Sequence, residues 1–231
     1  MALAYLANKT AIVAGGASGI GLAIAEALAA HGTRVLALSR RSQAAVPAAL
    51  PPGQVMHAHC DVTDEQAVEA VFARVATVDF VICSAGSGSF VPLVRTTAAE
   101  IREMLDVHIV GTFFCARSAL RKMAPTGAGH IVAIGSVAAL RTFTECSAYT
   151  AAKAGQLGLM RVLAEEAQAC NVRVSTVMPG ATDTPIWDTR PGFDRSKMMR
   201  AEQVAAQVLH VLAHPAVAIS ELVVMPPAGA L

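Results

Sequence analysis

The chain has 231 residues, of which 54% are hydrophobic, 15% charged and 4% aromatic, with a formal net charge of +1. That length suits one large α/β domain with a substantial core, and the composition excludes disordered and collagen-like chains. A near-neutral balance without a Lys/Arg-rich run argues against nucleic acid or a membrane surface as partner.

Mean hydropathy is high at +0.50, but polar residues or glycines interrupt every apolar stretch before it reaches spanning length. Residues 1–9 lack the basic and apolar regions of a secretory leader, so a cytoplasmic location is expected. The five cysteines, Cys60, Cys83, Cys115, Cys146 and Cys170, are widely spaced and read as reduced thiols packed as small hydrophobes.

Short β-branched apolar runs occur at residues 10–13, 34–38, 55–58, 78–83, 130–134, 172–177 and 221–225, with helical stretches between them. This alternation predicts a doubly wound, Rossmann-like α/β fold: a parallel sheet of about seven strands with helices on both faces, in a single domain over residues 1–231. The runs lack a strict period of two, as strands covered on both faces do. Ser18 is placed to cap a helix through 20–30, and Thr63 with Gln66 has capping-box spacing ahead of 67–75. Residues 47–53 and 179–196 read as surface loops, the second being the candidate mobile lid, and 179–200 is the candidate substrate loop.

The segment Ala14-Gly15-Gly16-Ala17-Ser18-Gly19-Ile20-Gly21 follows the first run and opens the first helix. A dinucleotide fold binds its pyrophosphate there, using free backbone N–H groups and the helix dipole. Gly15, Ala17, Ser18, Gly19, Ile20 and Gly21 are therefore candidate cofactor residues. No Lys-Ser/Thr follows in P-loop register, which excludes a Walker A motif. The second run ends in Ser39-Arg40-Arg41, where an NAD-binding fold carries an acidic residue for the ribose. With no carboxylate to repel a 2′-phosphate and two guanidinium groups to pair with it, NADP(H) is expected in preference to NAD(H). The same residues also read as a solvated loop with two surface arginines.

Ser136 follows the run 130–134, and Tyr149 and Lys153 are four apart, which puts them on one helical face. A free phenol titrates near 10, so proton exchange at neutral pH calls for a neighbouring cation, which Lys153 can supply. Alone, such a pair also reads as a surface contact. Together with the Gly-rich turn, these residues resemble the short-chain dehydrogenase/reductase family, whose catalytic serine precedes the tyrosine by thirteen positions, as Ser136 precedes Tyr149.

The resemblance extends over nearly the whole chain through Asp61-Val62, Ser84-Ala85-Gly86 and Pro179-Gly180, in the family's order. It implies hydride transfer between NADP(H) and a small-molecule carbonyl or secondary alcohol. Tyr149 would exchange the proton, Ser136 would orient the substrate oxygen, and Lys153 would bind the nicotinamide ribose and lower the tyrosine pKa. Ser39 would join the arginines at the ribose, Asp61 and Val62 would meet the adenine, Ser84, Ala85, Gly86 and Tyr149 would line the cofactor side of the pocket, and Pro179, Gly180, Thr182 and Thr184 would hold the carboxamide. A homodimer or homotetramer pairing helices over 98–122 and 148–169 is implied as well, and the tail 225–231 would reach a neighbour or cover the active site.

Two positions depart from the family pattern. Ser84 and His108 stand where the family has asparagines, the second of which helps hold a water linked to the lysine. His108 is expected to substitute in that proton relay and, by gaining charge beside Lys153, to depress activity in mild acid. These departures also admit an alternative, an NADP(H)-binding regulatory or interaction protein with little turnover. His57 and His59 have no third ligand at metal-site spacing, so no metal is expected. Phe143, Cys146 and Trp187 are candidate pocket residues, and Phe90, Val91, Leu93, Ile186 and Phe193 suggest a hydrophobic substrate.

Overall fold

A computed structural model describes residues 2–188, 192–227 and 229. Its strands are β1 (Thr10–Ala14), β2 (Arg34–Ser39), β3 (Val55–His59), β4 (Phe80–Cys83), β5 (His130–Ile134), β6 (Arg173–Pro179), β7 (Thr182–Asp183), β8 (Met199–Arg200) and β9 (Glu221–Val224). The α-helices are α1 (Gly19–Ala30), α2 (Glu65–Arg74), α3 (Ala98–Leu105), α4 (Gly111–Met123), α5 (Ser147–Gln168) and α6 (Ala201–Ala213). Seven strands form one parallel sheet in the order β3-β2-β1-β4-β5-β6-β9.

Successive residues of each central strand point to opposite faces, and both faces are covered. Ile12, Leu36, Val81 and Ile131 pack with residues of α2, α4 and α5, whereas Val13, Val35, Ile82 and Val132 pack with α1 and α6. Ile131 is fully buried, and cutting it to alanine is expected to cost ~2–5 kcal/mol. The chain runs outward from β1 to β3 and then returns to β4 beside β1, so the order reverses between β1 and β4. Doubly wound sheets open a ligand crevice at the carboxyl ends of the strands at such a point.

The structure corrects several local readings. Asp64, not Thr63, caps α2, accepting from the N–H groups of Gln66 at 2.9 Å and Ala67 at 3.1 Å. Thr63 instead donates its hydroxyl to Asp61 Oδ1 at 2.8 Å. Ser18 occupies the cap position of α1 without making a cap bond, because its hydroxyl accepts from Arg41 Nη2 at 2.9 Å. The helix expected over 98–122 is interrupted by a π turn, Asp106–Val110. This wider turn presses between α5 and Val62: a Cβ at Gly155 would lie 2.4 Å from Ile109 Cδ1, and one at Gly111 would lie 2.7 Å from Val62 Cγ2.

Both ends of the loop 179–200 are pinned, since β7 and β8 pair in parallel and Arg195 bridges Asp183 at 2.5 Å and Asp188 at 2.8 Å. Residues 189–191 of that candidate lid lie outside the described residues. Of the tail, Met225 and Pro226 pack on Gly180 of the same chain, whereas 228, 230 and 231 lie outside the described residues. Among the described residues, no helix is long and apolar enough to cross a membrane.

Candidate active site

The turn from β1 into α1 owes its shape to two glycines. Gly15 has φ +81°, and a Cβ on it would sit 2.5 Å from the Ala85 amide nitrogen. A Cβ on Gly21 would sit 2.3 Å from the Gly15 carbonyl oxygen. A side chain at either position would collide with the backbone that forms the turn.

Beside this turn lies a cleft of about 450 Å³, lined by Gly15, Ala17, Ser18, Gly19, Ile20, Gly21, Ser39, Arg40, Arg41, Asp61, Val62, Ser84, Ala85, Gly86, His108, Tyr149, Lys153 and Thr184. Seventeen of these are expected cofactor residues, and the eighteenth is His108. Pro179, Gly180 and Thr182 line a second, adjoining pocket of about 270 Å³ together with Ser136, and Tyr149 and Thr184 belong to both. Arg40 and Arg41 are exposed at the mouth of the larger cleft, at the end of β2. Burial pushes the Asp61 carboxyl up, but hydrogen bonds from Thr63 and the charge of Arg40 hold it below its ordinary value. The cleft residues fit a dinucleotide with an anionic group at the arginine end.

Tyr149 and Lys153 come from α5, and Ser136 from the segment after β5. Burial raises the Tyr149 phenol above its ordinary 10, while a hydrogen bond with Ser136 pulls it down and Cys146 adds to the rise. Lys153, 4% exposed, donates to the Ile134 carbonyl at 2.8 Å and to Gln156 Oε1 at 3.1 Å. Burial lowers its pKa to about 7. Its Nζ is 5.8 Å from the Tyr149 ring centroid. The expectation that Lys153 lowers the phenol pKa is therefore not met: the ammonium is engaged elsewhere, and burial dominates at the hydroxyl.

His108 projects from the π turn and packs edge-on to Tyr149, with ring centroids 5.5 Å apart. Its Nε2 meets the Ser87 carbonyl at 2.8 Å, and a carbonyl can only accept, so Nε2 carries the proton and Nδ1 is bare. Burial, reinforced by the Lys153 charge and opposed by the Ser87 carbonyl, lowers the imidazole pKa to about 3. The expected gain of charge in mild acid is thus overturned, because the ring is enclosed and beside a cation. Ser84 holds its place through its N–H, which donates to the Ala14 carbonyl at 2.9 Å.

The smaller pocket is walled by Phe90, Phe143, Cys146, Ile186, Trp187 and Phe193, and among the described residues no charged side chain lines it. Phe90 and Trp187 stack with centroids 5.8 Å apart and planes at 14°, and Trp187 Nε1 donates to the Thr182 carbonyl at 2.9 Å. Val91 and Leu93, expected here, are absent from this wall: Val91 bridges Cys146 through the backbone and Leu93 is 73% exposed. Sequence reasoning missed Gln156 and the Ile134 carbonyl as partners of Lys153. A glutamine three positions after the lysine, on a face otherwise filled by Ala152, Leu157 and Met160, was the available signal.

Comparison with known proteins agrees with this geometry. Residues 9–192 match the family model for short chain dehydrogenase. Carbonyl reductase family member 4 of Xenopus tropicalis is 33% identical over 221 residues, covering 90% of this chain and 92% of that protein. The 3-oxoacyl-[acyl-carrier-protein] reductase MabA of Mycobacterium bovis is 34% identical over 181 residues, 77% of this chain and 70% of that protein. Among solved structures, an alcohol dehydrogenase from the archaeon Thermococcus sibiricus complexed with 5-hydroxy-NADP superposes with a TM-score of 0.83 at 26% identity, over 95% of this chain and 97% of that one. The chain belongs to the short-chain dehydrogenase/reductase family of Rossmann-fold oxidoreductases.

Proposed function

We propose that the protein is an NADP(H)-dependent carbonyl reductase, running in reverse as a secondary-alcohol dehydrogenase, on a small apolar substrate. The observation that carries this reading is the meeting of the two cavities at Tyr149, with Ser136 in the apolar pocket and Lys153 in the dinucleotide-sized cleft. The arginine pair at the end of β2 supports NADP(H), as does the NADP derivative bound by the archaeal relative. The aromatic, uncharged wall supports an apolar carbonyl compound.

A bound nicotinamide would supply the hydride to the carbonyl carbon, or accept it in the reverse direction. Tyr149, with its pKa raised by burial, holds its proton through neutral pH and donates it to the substrate oxygen as negative charge develops there. Ser136 donates a hydrogen bond to the same oxygen and fixes its orientation. Lys153 has one N–H beyond those given to Ile134 and Gln156, and it would donate this to a ribose hydroxyl of the bound cofactor. Phe90 and Trp187 exclude water from the reacting face. The test is NADPH oxidation, followed by absorbance, with a panel of ketones, aldehydes and quinones, and with NADH in parallel. Turnover with a higher kcat/KM for NADPH is expected, and turnover only with NADH would reject the cofactor assignment.

A further inference from the structure

We propose that Gln156 is a positioning residue for Lys153, its amide oxygen and the Ile134 carbonyl together fixing two of the three ammonium N–H bonds so that the third faces the reacting centre. The proposal rests on the reading of Lys153 as part of that centre. The geometry is specific. Nζ lies 3.1 Å from Gln156 Oε1 and 2.8 Å from the Ile134 oxygen. An ammonium has donors only, so the amide must turn its oxygen to Lys153, and its nitrogen then donates to Thr112 Oγ1 at 2.8 Å. Lys153, Gln156 and Thr112 are 4%, 1% and 3% exposed.

A buried amide is costly unless both ends are bonded, and here both are. The chain Lys153–Gln156–Thr112 also ties α5 to the first turn of α4, immediately after the π turn that carries His108. His108 gives its proton to the Ser87 carbonyl, which leaves Nδ1 as an acceptor with no partner among the described residues. Gln156 contacts Lys153 directly from within the same helix.

The groups around Lys153 are few. The π turn presents neutral His108, α5 itself presents Tyr149, β5 presents a carbonyl, and α4 presents Thr112 through Gln156. Burial lowers the lysine's pKa, and among the described residues no carboxylate opposes it. An acceptor on the ammonium stabilises the charged form, so removing it should lower the lysine's titration midpoint and replacing it with a carboxylate should raise it.

The experiment follows the Lys153 side chain by NMR in ¹³C-lysine-labelled protein without cofactor, comparing the native chain with Gln156→Met and Gln156→Glu. The resonance is assigned by its loss in Lys153→Met. Relative to the native midpoint, a fall of about one pH unit in Gln156→Met and a rise of about one unit in Gln156→Glu are expected. In NADPH-dependent reduction the alkaline limb of kcat should shift in the same order, with KM for the carbonyl within about 3-fold of native, whereas a mere packing defect would lower the rate equally at every pH. Equal midpoints in all three proteins would overturn the proposal. If Gln156→Met does not fold, Gln156→Glu decides alone, and an unmoved midpoint there overturns it too. Midpoints that shift as stated in a protein that turns over no carbonyl would uphold the positioning role and reject the carbonyl-reductase reading, so the two fail separately.

Discussion

His108 stands edge-on to Tyr149, with ring centroids 5.5 Å apart and planes at 84°, while its one proton is committed to the Ser87 carbonyl. The ring is thus a fixed, neutral wall beside the phenol. A Cβ on Gly86 would lie 2.6 Å from its Cε1, so Gly86 is the residue that admits an imidazole here.

His108 should remain neutral, with Nε2 protonated, from pH 5 to pH 8. Its folded pKa of about 3 lies below the ordinary 6.5, so the folded state binds fewer protons than the unfolded chain between those values. Stability is therefore full above pH 6.5 and falls as the pH drops toward 3, by at most about 1.4 kcal/mol per pH unit for this group. Urea unfolding at pH 7.5 and 5 should give a smaller acid loss for His108→Asn than for the native chain. Equal losses, or an imidazole NMR midpoint near 6.5, would contradict the burial argument.

Lys153 illustrates the opposite charge problem. Its folded pKa of about 7 lies below the ordinary 10.5, so the cost of burying the ammonium is fully present below pH 7 and is relieved as the pH rises from 7 to 10.5. Lys153→Met should abolish turnover, and its stability relative to the native chain should be greater at pH 6 than at pH 9, because it removes the buried charge while losing the bonds to Gln156 and Ile134 at both pH values. Thermal melts at the two pH values check this, and a stability difference that does not change with pH would refute it.

The cations at the end of β2 should select the cofactor. Arg41 already reaches the Gly-rich turn through Ser18. Arg41→Ala and Arg40→Ala should each weaken NADPH binding by about 10- to 100-fold, the loss of one charge-assisted contact, while changing NADH affinity by about 3-fold or less. Fluorescence titration measures both, and equal losses for the two cofactors would show that neither arginine reads a 2′-phosphate.

The aromatic wall is expected to set the substrate's affinity rather than the chemistry. Trp187→Ala removes the stacking partner of Phe90 and should raise KM for an apolar ketone about 10-fold with NADPH affinity kept. A fall in kcat at unchanged KM would instead place Trp187 in the chemical step.

The sheet was legible in the sequence because its strands are short β-branched runs set off by helices, and β5 matches its expected span, His130–Ile134. The gathering of Gly15 to Gly21, Arg40 and Asp61 around one cleft was legible for the same reason: they lie at strand ends, where a parallel fold gathers its loops. The charge states were not. The pKa values of Tyr149, Lys153 and His108 depend on enclosure by elements far apart in the chain, and the partners Gln156, Ile134 and Ser87 become apparent only when α5, β5 and the π turn meet. The π turn was hidden because its residues 106–110 continue the helical pattern of α3 into α4, and what distinguishes it is Gly111 packed on Val62.

The central claim is that Tyr149 is the proton donor in an NADP(H)-dependent carbonyl reduction. Tyr149→Phe keeps the ring against His108 and Phe90 and removes only the hydroxyl. The decisive measurement is single-turnover NADPH oxidation by native protein and Tyr149→Phe on the best carbonyl substrate, with NADPH affinity determined for both. The account predicts NADPH affinity unchanged within about 3-fold and a rate at least ~100-fold lower in the variant. A variant that binds NADPH normally and reduces the substrate at the native rate would contradict it.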